Sequence, residues 1–294
     1  MHEGKQHDYV LITAAYNEEE HISGTIESVL AQTRQPVKWV IVSDGSTDLT
    51  DSIVCKYAAM TSIIMFLRKQ KEQNTTPFIS KVKALHMGYA AVKGTPYEFI
   101  GTLDADITLG SDYYRKILSR FDLEPRLGIA GGFIYEKHTG RFQNRRFNTS
   151  MSVAGAIQLF RRECYDEIGG YHFARYGGED TICEILARMK GWRTHAFSDI
   201  IVFHHKTGAT KRGAIGDAIR KGKLDYALGS HGLYEILKCV RRLWASPFFI
   251  GALTRFMSFM WSTIQRHERD IPEYVVKFTQ QEQRARIKHL FFRR

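Results

Sequence analysis

Residues 9–20 read YVLITAAYNEEE, and this stretch decides the class of fold. Its first six residues form a short apolar run with β-branched side chains, which is typical of a buried strand. Asn17 and the three glutamates behind it predict the start of a helix, with Asn17 as the N-cap residue. A strand that leads through a polar turn into a helix is the repeating unit of α/β proteins.

The same unit recurs along the next ninety residues. A second strand, WVIVS at 39–43, is followed by a turn that starts at Asp44, and YEFIGTL at 97–103 runs directly into Asp104 and Asp106. This alternation predicts a mostly parallel, Rossmann-like α/β sheet flanked by helices. Ligands bind outside the carboxyl ends of parallel strands, so we expect the polar residues behind these strands to converge.

Composition and charge restrict the class of protein. The chain has 294 residues, of which 44% are hydrophobic and 25% charged, which is typical of a globular protein of one large or two small domains. Its formal net charge of +11 predicts an anionic partner, namely nucleic acid, an anionic membrane surface or a phosphorylated substrate. The four cysteines lie far apart, which predicts free thiols in a reducing compartment.

The C-terminal third differs from the rest. We expect an α/β domain over residues 1–210 and a helical region over 211–294. The most apolar segment, residues 243–264, has aromatic side chains and basic flanks, which predicts helices lying on an anionic membrane. The alternative is packing on the α/β domain or on a second subunit. The chain shows no signal-peptide pattern and no spanning apolar run, so we expect a cytoplasmic protein, peripheral on the inner face of the plasma membrane.

Asp104 and Asp106 are candidates for a metal site. Two carboxylates two residues apart on a turn can both reach one Mg²⁺ or Mn²⁺, or one can reach the ion and the other a ribose. His204 or His205, behind a later strand, could complete the shell of such an ion. The alternative interpretations are a solvated aspartate turn and two packing histidines.

Other polar residues have both a structural and a chemical interpretation. Glu179 and Asp180 open a helix, where they could cap it, or one could act as a general base towards a substrate hydroxyl. Asp44 could accept hydrogen bonds from a base or ribose, or form an ordinary turn. The basic residues that could hold a diphosphate, or form only a solvated loop, are Lys206, Lys211 and Arg212.

Several enzyme classes lack their sequence signals in this chain. It has no GxGxxG and no GxxxxGK[ST], which argues against dinucleotide-dependent dehydrogenases and P-loop proteins. It has no GxSxG, the signal of α/β hydrolases. A basic nucleic-acid-binding protein stays an alternative, although no recognised DNA- or RNA-binding motif is present.

Five segments, in this order, resemble the family 2 glycosyltransferases of GT-A fold, in particular those that make bacterial surface polysaccharides. They are AAYNEE at 14–19, VSDGSTD at 42–48, KVKAL at 81–85, DAD at 104–106 and GED at 178–180. The likeness runs from about residue 9 to about residue 205. It departs from the family pattern at Ala14, where proline is usual, and at His86, where asparagine is usual.

The resemblance implies a role for each matching position. The residues implied to bind the nucleotide sugar are Ala14, Tyr16, Glu18, Asp44, Lys81, Asp104 and Glu179. The residues implied to bind Mn²⁺ or Mg²⁺ are Asp106, Asp104 and His204 or His205. Asp180 is the implied base that deprotonates the acceptor.

The implied activity is metal-assisted, inverting transfer of a sugar from a nucleotide-diphosphate donor, most commonly a UDP-sugar, to an acceptor hydroxyl. The acceptor would be a saccharide or a lipid-linked molecule, in cell-surface polysaccharide or glycolipid synthesis. No nucleic acid is expected as a partner. The alternative within the family is a non-catalytic relative, against which the joint presence of Asp104, Asp106 and Asp180 argues.

Overall fold

A computed structural model of the chain describes residues 7–138, 140–145, 148–206, 213–245 and 247–291. Its contacts divide the chain into two compact units. The α/β unit comprises Met1–His172 and Glu179–Thr207, and the helical unit comprises Phe173–Gly178 and Gly208–Arg294.

Within the described residues, the strands of the α/β unit form one sheet in the order β3-β2-β1-β4-β8-β6-β9-β5, with β7 paired to β6. The strands are β1 (Tyr9–Ala15), β2 (Lys38–Ser43), β3 (Ile64–Arg68), β4 (Phe99–Thr102), β5 (Ile107–Leu109), β6 (Leu127–His138), β7 (Arg141–Asn144), β8 (Leu159–Arg161) and β9 (Arg193–His204). Only β5, β7 and β8 run against the other strands. The predicted mostly parallel α/β sheet is confirmed.

Helices complete both units. In the α/β unit they are α1 (Ile22–Leu30), α2 (Thr50–Met60), α3 (Pro77–Val92), α4 (Tyr113–Leu123), α5 (Arg162–Glu167) and α6 (Glu179–Met189). In the helical unit they are α7 (Gly213–Ala227), α8 (Gly232–Arg241), α9 (Ile250–Ile264) and α10 (Glu273–Phe291). None of the helices in the described ranges is long and apolar enough to cross a membrane.

The sheet has a hydrophobic core on each face because side chains alternate along its strands. Tyr9 and Leu11 of β1 lie in the core that α1, α2 and α4 cover. Val10 and Ile12 lie in the core that α3, α5 and α6 cover. Burial of each such side chain stabilises the fold by roughly 1.5–3 kcal/mol. Both faces of the central strands are therefore apolar, and we look for polar functional side chains at the ends of these strands.

The sequence prediction for Asn17 is wrong. Helix α1 begins at Ile22, and its N-cap residue is His21, which makes no side-chain cap bond. Asn17 instead has a left-handed backbone with φ of 55°, and its side-chain oxygen accepts the N–H of Thr47 at 2.9 Å. Asparagine favours both N-caps and left-handed turns, so the residue type alone did not distinguish them.

Candidate active site

The polar residues behind β1, β2 and β4 converge at one edge of the sheet, as the topology predicts. Ala14 and Ala15, at the end of β1, pair in parallel with Val42 and Ser43 of β2, and Asp44 N–H then donates to the Ala15 carbonyl at 2.8 Å. The predicted site residues at this edge are Ala14, Tyr16, Glu18, Asp44, Asp104 and Asp106.

Backbone hydrogen bonds hold the loop after β1 against the loop after β2. The N–H of Asn17 donates to Ser46 Oγ at 3.1 Å, and the N–H of Glu18 donates to Thr50 Oγ1 at 2.7 Å. Ser46 in the second loop and Thr50 at the start of α2 therefore act as side-chain acceptors for the first loop. These two hydrogen bonds fix the backbone positions of the loop that carries Tyr16 and Glu18.

Asp44 lies in a basic environment that the sequence analysis missed. Its buried carboxylate accepts hydrogen bonds from Lys69 Nζ at 2.9 Å, Lys71 Nζ at 2.5 Å and Ser80 Oγ at 2.6 Å. Burial raises the pKa of Asp44, but the hydrogen bonds from Lys71, Ser80 and Lys69 outweigh it and lower the pKa. Lys69 and Lys71 directly follow β3, which ends at the same edge of the sheet as β2. Their position in the sequence could therefore have predicted the basic environment of Asp44.

Lys71 also contacts Tyr16. Its Nζ lies 3.8 Å from the centroid of the half-exposed Tyr16 ring, a cation–π arrangement. An open depression of about 590 Å³ beside it is lined by Gly45 and by residues 68–71. Asp44 as acceptor and two lysines as donors suit a planar base that carries an N–H group next to a carbonyl group.

Asp106 and His204 form a partly buried pair. His204 Nε2 donates to Asp106 Oδ2 at 3.0 Å. Burial raises the pKa of Asp106, but His204 and Lys206 outweigh it and lower the pKa. For His204 burial lowers the pKa, while Asp106 raises it and prevails. The pair therefore favours a charged carboxylate beside the imidazole.

His205 lies differently. Its Nε2 shares a hydrogen bond with Thr108 Oγ1 at 2.8 Å, and its ring centroid lies 5.3 Å from that of Phe142. Its backbone N–H donates to the Asp106 carbonyl at 3.0 Å. These contacts give His205 a packing role against β5 and β7, whereas His204 faces the carboxylate of Asp106.

Asp106 and His204 have the chemistry of a partial metal site. Carboxylate oxygen and imidazole nitrogen are both ligands that Mn²⁺ accepts. The described part of the chain contains no group of three or more His, Cys, Asp or Glu that could hold a metal ion by itself. Asp106 and His204 could hold such an ion together with water or substrate phosphates, which commonly complete the coordination of Mg²⁺.

Glu18 adds an unsatisfied acceptor close to these acids. Lys206 Nζ lies 2.6 Å from Glu18 Oε1, but Oε2 is buried without a hydrogen-bond partner among the described residues. Burial raises the pKa of Glu18 to about 7, opposed by Lys206 and supported by Asp106 and Asp104. Lys211 and Arg212, the other predicted diphosphate ligands, lie outside the described residues.

Lys81 connects Asp104, which follows β4, to the start of helix α6. From α3 its Nζ reaches Asp104 Oδ1 at 2.8 Å and lies 3.9 Å from Glu179 Oε1. Burial lowers the pKa of Lys81, but Asp104 and Glu179 outweigh it and raise the pKa. Burial also raises the pKa of Glu179, against the effect of Lys81. One cation therefore connects a carboxylate behind β4 with the acidic start of α6.

Asp180 is held by two backbone donors. Its Oδ2 accepts the N–H of Gly155 at 2.9 Å, and its Oδ1 accepts the N–H of Thr181 at 2.7 Å. Residues 155–157 form a turn ahead of β8, and this turn brings the Gly155 N–H to the carboxylate. Glu184, one turn further along α6, accepts the N–H of Val153 and thus holds the same loop.

Comparison with protein families assigns this chain. The model described as "Glycosyl transferase family 2" matches residues 10–177, more than half of the chain. The poly-beta-1,6-N-acetyl-D-glucosamine synthase of Staphylococcus aureus (strain COL) is 29% identical over 202 residues, covering 63% of this chain and 45% of the relative. The Staphylococcus epidermidis synthase is 27% identical over 210 residues, with the same coverage. The chain thus spans less than half the length of the curated relatives it matches.

Solved structures agree on the fold. The mannosyltransferase PcManGT from Pyrobaculum calidifontis, in complex with GDP-Man and Mn²⁺, matches with a TM-score of 0.56 and 16% identity, covering 98% of this chain and 88% of that one. S. aureus TarS in complex with UDP-GlcNAc matches with a TM-score of 0.52 and 18% identity, covering 86% and 71%. The predicted GT-A fold is confirmed. The chain belongs to glycosyltransferase family 2, as its sequence motifs predict.

Proposed function

We propose that the α/β unit transfers a sugar from a nucleotide-diphosphate sugar to an acceptor hydroxyl with inversion at the anomeric carbon. The observation that carries this proposal is the bridge from Asp104 through Lys81 to Glu179, next to Asp180. It joins carboxylates suited to a nucleotide sugar with a carboxylate suited to a general base. Family membership supports the same reaction class.

The donor would lie along the sheet edge. The base would stack on Tyr16 and meet Asp44 as an acceptor, while Lys69 and Lys71 donate to its carbonyl oxygens. The ribose would bind near Asp104 and the unpartnered Oε2 of Glu18. We propose a UDP-sugar as donor, because uracil has the required N–H between two carbonyls and because TarS was solved with UDP-GlcNAc.

Asp180 would act as the base. The acceptor oxygen attacks the anomeric carbon as its proton passes to the Asp180 carboxylate, and the bond to the β-phosphate oxygen breaks, releasing the nucleoside diphosphate. The hydrogen bonds from Gly155 and Thr181 hold the carboxylate in one orientation for this transfer. Attack on the face opposite the leaving group gives inversion.

As the bond breaks, the leaving nucleoside diphosphate gains a negative charge beyond the two that its diphosphate already carries, and this developing charge needs compensation. A divalent ion such as Mn²⁺ or Mg²⁺, held by Asp106 and His204 with Asp104 close by in sequence, would supply that charge stabilisation. Among the protein's own groups, Lys206 and Lys81 lie at the same site and would contribute positive charge. We propose His204 rather than His205 as the ligand, because Thr108 already holds the Nε2 of His205.

The acceptor would be a saccharide or a lipid-linked molecule in polysaccharide or glycolipid synthesis. This proposal is supported by the similarity to the Staphylococcus relatives, which are poly-beta-1,6-N-acetyl-D-glucosamine synthases.

Thermal melting with nucleotides tests the donor site. The melting temperature of the wild type is measured with UDP, GDP and their N-acetylglucosamine or mannose sugars, with and without Mn²⁺. In a second assay, the release of nucleoside diphosphate is measured with the nucleotide sugars alone. We expect one base to raise the melting temperature in a Mn²⁺-dependent way, because a ligand that binds only the folded state stabilises it. Asp106→Asn should abolish this shift, since it removes a charge beside His204 while keeping the side-chain volume.

Asp199→Asn is the matched control. Asp199 is an exposed carboxylate of the same unit that pairs with Arg120, so its loss should leave the nucleotide shift unchanged. If no nucleotide stabilises the wild type with or without metal, the proposed donor site is wrong. A non-catalytic relative or a nucleic-acid-binding protein would then be the better interpretation.

A further inference from the structure

Two helices of the helical unit bury charged side chains and expose large apolar ones. In α9, Arg255 is only 7% exposed, while Leu253 and Trp261 are 60% and 57% exposed. In α8, Glu235 is fully buried, while Ile236 on the same helix is exposed. A surface helix of a water-soluble domain shows the opposite arrangement, with its apolar stripe facing the core. The exposed sides of α8 and α9 therefore suit an apolar environment.

Buried ion pairs explain why the charged residues face inwards. Arg255 Nη2 lies 2.5 Å from Asp225 Oδ2, and Arg255 Nε lies 3.3 Å from Glu235 Oε1. Lys238 Nζ also contacts Asp225, at 2.7 Å. Two cations and two carboxylates thus compensate one another, and removing one member would leave an uncompensated buried charge. This network fixes the rotation of both helices and keeps their apolar rows outside.

The exposed apolar rows are continuous along the sequence. Their members recur at intervals of three and four residues in each helix, as one face of a helix requires. They are Leu233, Ile236 and Val240 on α8, Trp244, Phe248 and Phe249 between the helices, and Ile250, Leu253, Met257, Trp261 and Ile264 on α9. Apolar side chains exposed singly are normal, but such a series indicates an interaction surface.

The charge of this segment identifies the class of partner. Between Ile236 and Arg266 the chain has five basic residues and no aspartate or glutamate. Lys238 and Arg255 are used in the buried ion pairs, while Arg241 and Arg266 are exposed at the ends of the apolar segment. A second copy of the chain would bring these same basic ends together in a symmetric interface, whereas an anionic lipid surface would compensate them.

The length of α9 decides how it would meet a bilayer. Its 15 residues extend about 22 Å at 1.5 Å per residue, short of the roughly 30 Å hydrocarbon core. Exposed Trp244 and Trp261 suit the headgroup boundary, where tryptophan is enriched. We propose that α8 and α9 bind an anionic lipid surface, lying in its plane with their apolar rows in the headgroup–acyl boundary.

Vesicle sedimentation tests this surface on the full chain. Wild type is mixed with phosphatidylcholine vesicles or with phosphatidylcholine–phosphatidylglycerol vesicles, without sugar donor, and pelleted. We expect binding to the anionic vesicles that weakens as salt is added, with a blue shift of tryptophan fluorescence. The double variant Leu253→Gln/Trp261→Gln should reduce the partition coefficient by at least about tenfold, because two large apolar side chains no longer enter the lipid.

Leu123→Gln is the matched control, since Leu123 is 79% exposed but lies on α4 of the α/β unit. It should pellet like the wild type, and all variants should keep the wild-type melting temperature. Failure of the wild type to bind anionic vesicles would overturn the proposal, as would an equal loss in Leu123→Gln. Wild-type dimers in sedimentation equilibrium that the double variant converts to monomers would assign the surface to a second copy instead.

Discussion

Glu184 is a carboxyl group that α6 places inside the core, and its replacement by glutamine gives a quantitative pH test. Burial raises its pKa from 4.5 to about 8, opposed by the hydrogen bond from the Val153 N–H and supported by Asp180. Since the folded pKa lies above the unfolded one, the folded state favours the protonated acid. The stabilisation is complete below about pH 4.5 and is lost as pH rises through about 8.

The magnitude follows from linkage. Each pKa unit corresponds to about 1.4 kcal/mol, so the shift is worth up to about 5 kcal/mol in the free energy of unfolding. Glutamine keeps the shape and can still accept from Val153, but it stays neutral at every pH. We therefore expect the free energy of unfolding of Glu184→Gln to match that of the wild type near pH 4.5 and to exceed it by about 3 kcal/mol at pH 7.

Urea unfolding at pH 5, 6, 7 and 8 measures the difference between the two proteins. Taking the difference cancels the titration of the other acids, which both proteins share. Glu163→Gln, at an exposed carboxylate on α5, should show no such trend. A wild-type-minus-variant difference that stays flat across this range, or that favours the wild type as pH rises, would refute the reasoning.

Two further substitutions test how the candidate site is held together. Gly155→Ala should lower turnover at least about tenfold while nucleotide-induced stabilisation is kept, because the new Cβ would lie 2.9 Å from the Cβ and 3.0 Å from Oδ2 of Asp180. Gly94→Ala, whose Cβ meets nothing within 4 Å, is its control, and equal turnover in both variants would contradict the role of Asp180. Lys81→Met should weaken nucleotide-sugar binding by about tenfold or more in calorimetry, because it unpairs Asp104. Lys83→Met, a substitution on the same helix that breaks an exposed contact to Glu72 in the preceding loop, should not weaken binding, and equal losses would point to a general defect of α3.

The convergence of polar residues at the sheet edge could be predicted from the sequence because it follows from the order of the strands. Once β1, β2 and β4 are recognised as parallel neighbours, the residues behind them must meet, whatever the loops do. Glu18, Asp44, Asp104 and Asp106 follow those strands directly, so their convergence needed no knowledge of side-chain geometry.

The contacts of these residues were less predictable. Lys71 reaches Asp44 across 27 positions, from a loop whose conformation no periodic pattern describes. The difference between His204 and His205 also depends on neighbours distant in sequence, since Asp106 selects one and Thr108 the other. Adjacent histidines at a strand end point to opposite sides, and the residue types alone could not show which side faces the acids.

The helical unit shows why hydrophobic periodicity can mislead about the inside of a protein. In α9 both the exposed and the buried faces carry apolar side chains, so the pattern gives a helix but not its orientation. Orientation depends instead on the cost of burying Arg255 without a counter-charge, and its ion pairs with Asp225 and Glu235 remove that cost. Those carboxylates lie 30 and 20 positions away on other helices. A helix whose charged residues form buried ion pairs can expose its apolar residues. That arrangement is favourable only where the exposed apolar side chains contact an environment less polar than water.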